Sequence, residues 1–240
     1  MSLLLLLALG FVAGTIGGVI GFGSSIMLMP ALVLMYGARA AVPIMAITAL
    51  MSNLARVLVW WRELDWRACG AYSLTAIPAA ALGARTLLVI PPRLADAVLG
   101  SFFILMIPAR RWMVSRNMRI GLPHLALAGA VIGYATGIVV STGPINTPFF
   151  LAHGLAKGAF LGTEALGSLG MYVSKAIAFR SFDALPDETI VQGLVIGSSL
   201  MAGSWAAKYF VLRIPQERFF FLMEAVLFGS GLTMLIAAFL

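Results

Sequence analysis

The chain has 240 residues, of which 61% are hydrophobic and only 10% charged, with a formal net charge of +7. Soluble domains carry about 25% charged residues, so this stock cannot build a water-facing surface, and the chain reads as an integral membrane protein. The excess of cations does not point to nucleic acid, because the basic residues sit in short loops between apolar runs rather than along one face.

From the N-terminus, Met1-Ser2 and the run Leu3 to Leu7 lack a basic leader region and a small-residue cleavage site, so this stretch is read as a retained first helix. It opens an interrupted unit over 3–36. The unit breaks on Gly14, Gly17, Gly18, Gly21, Gly23, Ser24 and Ser25 and meets Pro30. Spans need about 20 apolar residues, and such runs follow at 41–61, 67–89 and 94–113. A second interrupted unit, 123–153, breaks on Gly129, Gly133, Gly137, Ser141, Thr142 and Gly143, then meets Pro144, Asn146 and Pro148. Runs at 159–180, 189–211 and 217–239 complete the chain.

A helix broken in hydrocarbon exposes unpaired N–H and C=O groups, so each break must face protein or a water-filled cavity. The short pieces after the breaks, near 25–36 and 144–153, suit re-entrant half-helices better than full spans. Features recur about 120 residues apart: Arg39 and Lys157, Leu64-Asp65 and Phe182-Asp183, Gly83 and Gly203, Pro92-Arg93 and Pro215 with Arg218. The expected fold is all-α, with an N-terminal repeat over 1–115 and a C-terminal repeat over 120–240. Each half makes an odd number of crossings, so the two are inverted. With the N-terminus outside, ten Lys and Arg, among them Arg62, Arg67, Arg110, Arg116 and Arg213, fall on inner loops. Four fall outside: Arg39, Arg85, Arg93 and Arg180. That bias sets orientation and predicts both termini outside, in the periplasm of a Gram-negative host. Trp60, Trp61, Trp66 and Trp112 fall at inner helix ends and read as an aromatic belt.

The paired breaks point to a substrate site between the repeats. Half-helix N-termini offer unpaired N–H groups and partial positive charge to an anion. Gly23, Ser24 and Ser25 supply this in one half, and Ser141, Thr142, Gly143 and Asn146 in the other. Small residues of this kind also serve helix packing. Asn53 and Arg56 share a helix face, and Lys175 is the repeat counterpart of Arg56. Both cations are candidates for anion contact, and both lie close enough to helix ends to snorkel. Glu164 and Glu224 fall within expected spans. Either could relay protons or pair with Lys208 or another inner cation.

The single cysteine, Cys69, excludes an intrachain disulfide. Two histidines and no clustered acids make no metal site, and no phosphate-binding Walker A loop is present, so no cofactor is expected. An intramembrane serine enzyme would have only Ser25, Ser141 and His153 as raw material, with no nucleophile motif around them.

The stretch Gly14-Thr-Ile-Gly-Gly-Val-Ile-Gly-Phe-Gly-Ser-Ser-Ile-Met-Leu-Met-Pro30 resembles the signature of the TauE/SafE sulfite exporter family. Gly133 to Pro148 looks like its second copy, and Leu64-Asp65-Trp66 is similar to a loop that recurs in the family. Ser24-Ser25 and Val139-Val140 stand where further glycines are usual. The resemblance implies a secondary transporter of sulfite or a small organosulfonate such as sulfoacetate, working by alternating access in the inner membrane. Export is the leading direction. Uptake of a sulfonate or other small oxyanion, and a non-transporting assembly or receptor subunit, remain the alternatives.

Overall fold

The computed structural model describes residues 3–36, 38–86, 119–138, 143–181 and 185–215, with single positions at 108, 218, 221, 225, 228 and 232. The described residues form α-helices and one 3-10 turn, with no strand among them. The expected spans 94–113 and 217–239 lie almost wholly outside the described residues.

Helix α1, Leu3–Ile20, is an unbroken apolar run. It stops where Gly21 and Gly23 take φ of 96° and 97°, a left-handed conformation open to glycine at little cost. The Gly21 N–H closes the last turn on the Gly17 carbonyl at 2.7 Å. Helix α2, Ser24–Tyr36, starts at once. The sequence placed Ser24 and Ser25 just before this piece; they are its first two residues. At about 1.5 Å per residue, α2 is only about 20 Å long, short of a hydrocarbon core of about 30 Å.

Helix α3, Ala38–Val59, is followed by the 3-10 turn Trp61–Glu63 and helix α4, Trp66–Thr86. Asp65 sets the start of α4. Its Oδ1 accepts from the N–H groups of Arg67 at 3.0 Å and Ala68 at 2.9 Å, satisfying two donors of the first turn. This capping gives the Leu64-Asp65-Trp66 motif a physical role.

The second half follows with α5, Leu122–Ile138, α6, Gly143–Ala152, α7, Lys157–Ser181, and α8, Asp187–Arg213. Helix α6 is about 15 Å long, again too short to cross. It ends in a wrapped turn at Gly154, φ 102°, where Leu155 N–H reaches the Phe150 carbonyl at 3.2 Å. Residues 139–142, between α5 and α6, where part of the second expected break falls, lie outside the described residues. Helices α1 and α8 are long and apolar enough to cross a membrane by length and composition.

Two glycine seams hold the bundle. Helix α1 lies on α8, with Gly10, Gly14 and Gly18 against Ser199, Leu200 and Ser204. Helix α5 lies on α4, with Gly129, Gly133 and Gly137 against Tyr72, Ala76 and Ala80. A Cβ on Gly14 would stand 2.7 Å from the Leu200 Cα, and one on Gly133 2.6 Å from the Ala76 Cα. Small residues let backbones meet this closely where hydrocarbon gives no hydrophobic drive to associate. Gly203 and Gly83 return the contact from α8 and α4, against Phe11 and Tyr134.

The exterior is apolar, and a polar cluster is buried within a largely apolar core. Leu4, Leu34, Leu74, Leu127, Ile177 and Trp205 are exposed, while Ser52, Asn53, Arg56, Asn146, Glu164, Ser168 and Lys175 are buried. An apolar exterior around a buried polar cluster fits a lipid surrounding. Trp61 and Trp66 are exposed, as a belt requires, but Trp60 is buried. Its ring packs over Gly158 and under the Lys208 ammonium, 5.2 Å from the ring centroid. It is a core residue, because glycines on α7 open a slot for it. Trp112 lies outside the described residues.

Candidate functional site

The polar interior centres on the break between α1 and α2. Arg56, on the last full turn of α3, sends Nη1 to the Gly21 carbonyl and to Glu164 Oε2 at 2.8 Å. Its Nη2 donates to Asn53 Oδ1, one turn back on the same face. Asn53 Nδ2 donates in turn to the Ala49 carbonyl at 2.7 Å. The guanidinium therefore closes the C-terminal end of α1, where the helix leaves carbonyls unpaired, and anchors α7 through Glu164. Arg56 does not snorkel: it is buried, and its charge points at the break rather than at the helix end.

Glu164 is 1% exposed and fully engaged. Besides Arg56, its Oε1 accepts from Ser168 Oγ at 2.6 Å and from Asn146 Nδ2 at 2.9 Å. Asn146 on α6 is oriented by Tyr72 on α4, whose hydroxyl donates to Asn146 Oδ1 at 2.6 Å. The Tyr72 ring is braced by Phe150, centroids 5.0 Å apart. The network ties α3, α4, α6 and α7 to the broken unit. A buried carboxylate with this many partners meets the condition for burying charge.

Beside the ion pair is a small polar cavity lined by Gly23, Ser24, Ser25, Asn53, Arg56, Glu164 and Ser168, with Ser52 and Tyr172 at its wall. Its volume is 20 Å³, room for about one water. The first-half candidates therefore come together at one point. Asn146 joins them through Glu164 and Ser168. Gly143 opens α6. Ser141, Thr142 and Glu224 lie outside the described residues.

Lys175 does not line this cavity. It is 2% exposed, and its Nζ donates to the Thr136 carbonyl at 3.2 Å, near the end of α5. It does not snorkel either. Arg56 and Lys175 thus meet carbonyls at similar places, just past the end of α1 and in the last turn of α5. Lys208, the partner weighed for Glu164, goes instead to the Val59 carbonyl at 3.1 Å. No group of three or more His, Cys, Asp or Glu that could hold a metal occurs among the described residues.

Sequence reasoning missed Tyr72 and Ser168. Ser168 had a signal: it lies one turn from Glu164, on the same face. Tyr72 had a weaker one, as the single tyrosine in a helix rich in small residues.

Compared with known proteins, the chain matches the family model described as Sulfite exporter TauE/SafE over residues 6–234. No curated protein and no solved structure matches it.

Proposed function

The chain belongs to the TauE/SafE sulfite exporter family, a family of membrane transporters, and we propose that it carries a small sulfur oxyanion, sulfite or an organosulfonate such as sulfoacetate, through the cavity beside Arg56. One observation carries this reading: a buried guanidinium faces a polar cavity at the break of an interrupted helix, next to the N-terminal turn of α2. A cation, an amide, two hydroxyls and the backbone donors of a helix start together suit a group with several acceptor oxygens. A single cation among neutral donors also allows release, which a transporter needs.

The direction proposed is export, from the cytoplasm across the inner membrane, with both termini outside. Alternating access is proposed for a chain built of two inverted halves, 1–115 and 120–240. The matched glycine seams support that division: α1 on α8 and α5 on α4 are the same pairing with the halves exchanged. So does the matched capping of α1 by Arg56 and α5 by Lys175.

The test is a thermal-shift panel on the purified protein with sulfite, sulfoacetate, taurine and sulfate, followed by flux in liposomes. Selective stabilisation by a sulfur anion, reduced in Asn53→Ala, is the expected result. A charged hydrogen bond is worth about 1.5–3 kcal/mol, so affinity should fall roughly tenfold or more. Equal response of wild type and variant to every anion would remove the site from this cavity.

A further inference from the structure

Glu164 occupies the position an anion would take. Its carboxylate sits on Arg56 at 2.8 Å, with both side chains less than a tenth exposed. Its other oxygen is held by Asn146 at 2.9 Å and Ser168 at 2.6 Å. One guanidinium and two neutral donors around two oxygens is also the contact set a sulfite or sulfonate group requires. With the pair closed, the cavity of 20 Å³ has space for about one water. An oxyanion therefore reaches the guanidinium only by displacing the carboxylate.

We infer that Glu164 is an internal stand-in for the cargo: the transported anion replaces it on Arg56, and the displaced carboxylate carries one proton, so that anion and proton cross in the same direction. This rests on the transport reading above.

Charge balance supplies the reason. With a singly charged anion on Arg56 and Glu164 still ionised, one cation would face two negative groups in the protein interior, where unpaired charge is costly. Among the described residues no second cation is placed to help. On the elements packed around Glu164, the ionisable groups nearest it are Arg56 on α3, Tyr72 on α4 and Tyr172 on α7 itself; α6 contributes the neutral Asn146. Lys175 is eleven residues along α7, with its Nζ on Thr136. Lys208 on α8 is at the Val59 carbonyl. Glu63 of the 3-10 turn faces Gly158.

The proton comes from water on the side to which the cavity has opened and adds to the carboxylate oxygen that leaves Arg56. It returns to water on the other side as the anion departs and the pair re-forms. One O–H bond of hydronium breaks as the carboxyl O–H bond forms, and the exchange reverses on release. The emptied carrier then resets with Arg56 and Glu164 neutralising each other, so no uncompensated charge moves through hydrocarbon.

The experiment uses the full chain in liposomes with a trapped pH dye and labelled methanesulfonate, a sulfonate that carries a single charge at every pH used. Wild type should move protons with methanesulfonate, in the same direction, and accumulate it when a pH gradient is imposed. Glu164→Gln should lose proton movement and gradient-driven accumulation while still exchanging labelled for unlabelled methanesulfonate. Glu164→Asp should restore proton movement. Methanesulfonate flux in wild type without protons, or accumulation by Glu164→Gln under a pH gradient, would overturn the inference and leave the transport reading standing. If methanesulfonate, sulfoacetate and sulfite all fail to move in wild type, the transport reading itself falls, and this inference with it.

Discussion

Tyr72 and Asn146 are joined by a hydroxyl–carbonyl hydrogen bond of 2.6 Å between helices of different halves. The bond fixes which end of the amide faces Glu164. With Oδ1 taken by the tyrosine, Nδ2 is left to donate to the carboxylate at 2.9 Å and to Ser168 at 3.1 Å. A phenol at one residue thereby determines the donor pattern around a charge on a third helix.

Tyr72→Phe keeps the ring against Phe150 and removes only the hydroxyl. It leaves a buried carbonyl unpaired, at a cost of about 1–3 kcal/mol. For a chain of this length each kcal/mol corresponds to about 2–4 °C in Tm. A fall of that order in detergent is expected, with weaker anion binding as Asn146 becomes free to turn. An unchanged Tm and unchanged binding would mean the bond is not formed in solution.

Arg56→Ala should destabilise rather than only weaken binding. It strands Glu164 as an uncompensated buried charge, and breaking such a pair costs about 3–5 kcal/mol. The double variant Arg56→Ala with Glu164→Gln removes both charges and should recover a large part of the lost Tm, while remaining unable to bind sulfur anions. Additive losses in a double-mutant cycle would show that the two side chains are not coupled.

The glycine seams predict sharp position dependence. Gly14→Ala and Gly133→Ala each drive a methyl into the facing backbone, where the rigid partner cannot yield, and should lower stability and yield. Gly70→Ala on α4 meets nothing within 4 Å and should be neutral, or stabilising by up to about 1 kcal/mol through helix propensity. Equal behaviour of the three variants would contradict the seam geometry.

Orientation is testable without a structure. Reporter fusions after Leu240 should signal from the outside and fusions at Ser115 from the cytoplasm, because the inner loops hold most of the cations. A cytoplasmic signal from Leu240 would overturn the topology.

Much of the fold was written in local sequence. Of the residues read as the first break, Gly21 and Gly23 end α1, because glycine takes their backbone conformation readily, while Gly14, Gly17 and Gly18 lie inside the continuous helix; Asp65 entered only as part of the recurring Leu64-Asp65-Trp66 loop, and its capping of α4 is a local signal that went unread. Asn53 and Arg56 could be paired from helix periodicity alone. The partner of Arg56 could not. Glu164 lies 108 residues away, and nothing in its own neighbourhood separates a carboxylate bound for Arg56 from one bound for Lys208. The burial of Trp60 was hidden for the same reason, since the slot it fills is made by glycines on α7. Proximity to a helix end made Arg56 and Lys175 look able to snorkel; the carbonyls at the ends of α1 and α5 hold them inside.

The seams also constrain how the molecule can move. Each joins a helix from one half of the sequence to a helix from the other, backbone against backbone, α1 with α8 and α4 with α5. If residues 1–115 swung as a block against residues 120–240, both seams would have to shear at once. The closely packed units are instead mixed pairs, each drawn from both halves. Movement between these pairs would then turn at the chain breaks and connecting turns rather than at the sequence midpoint.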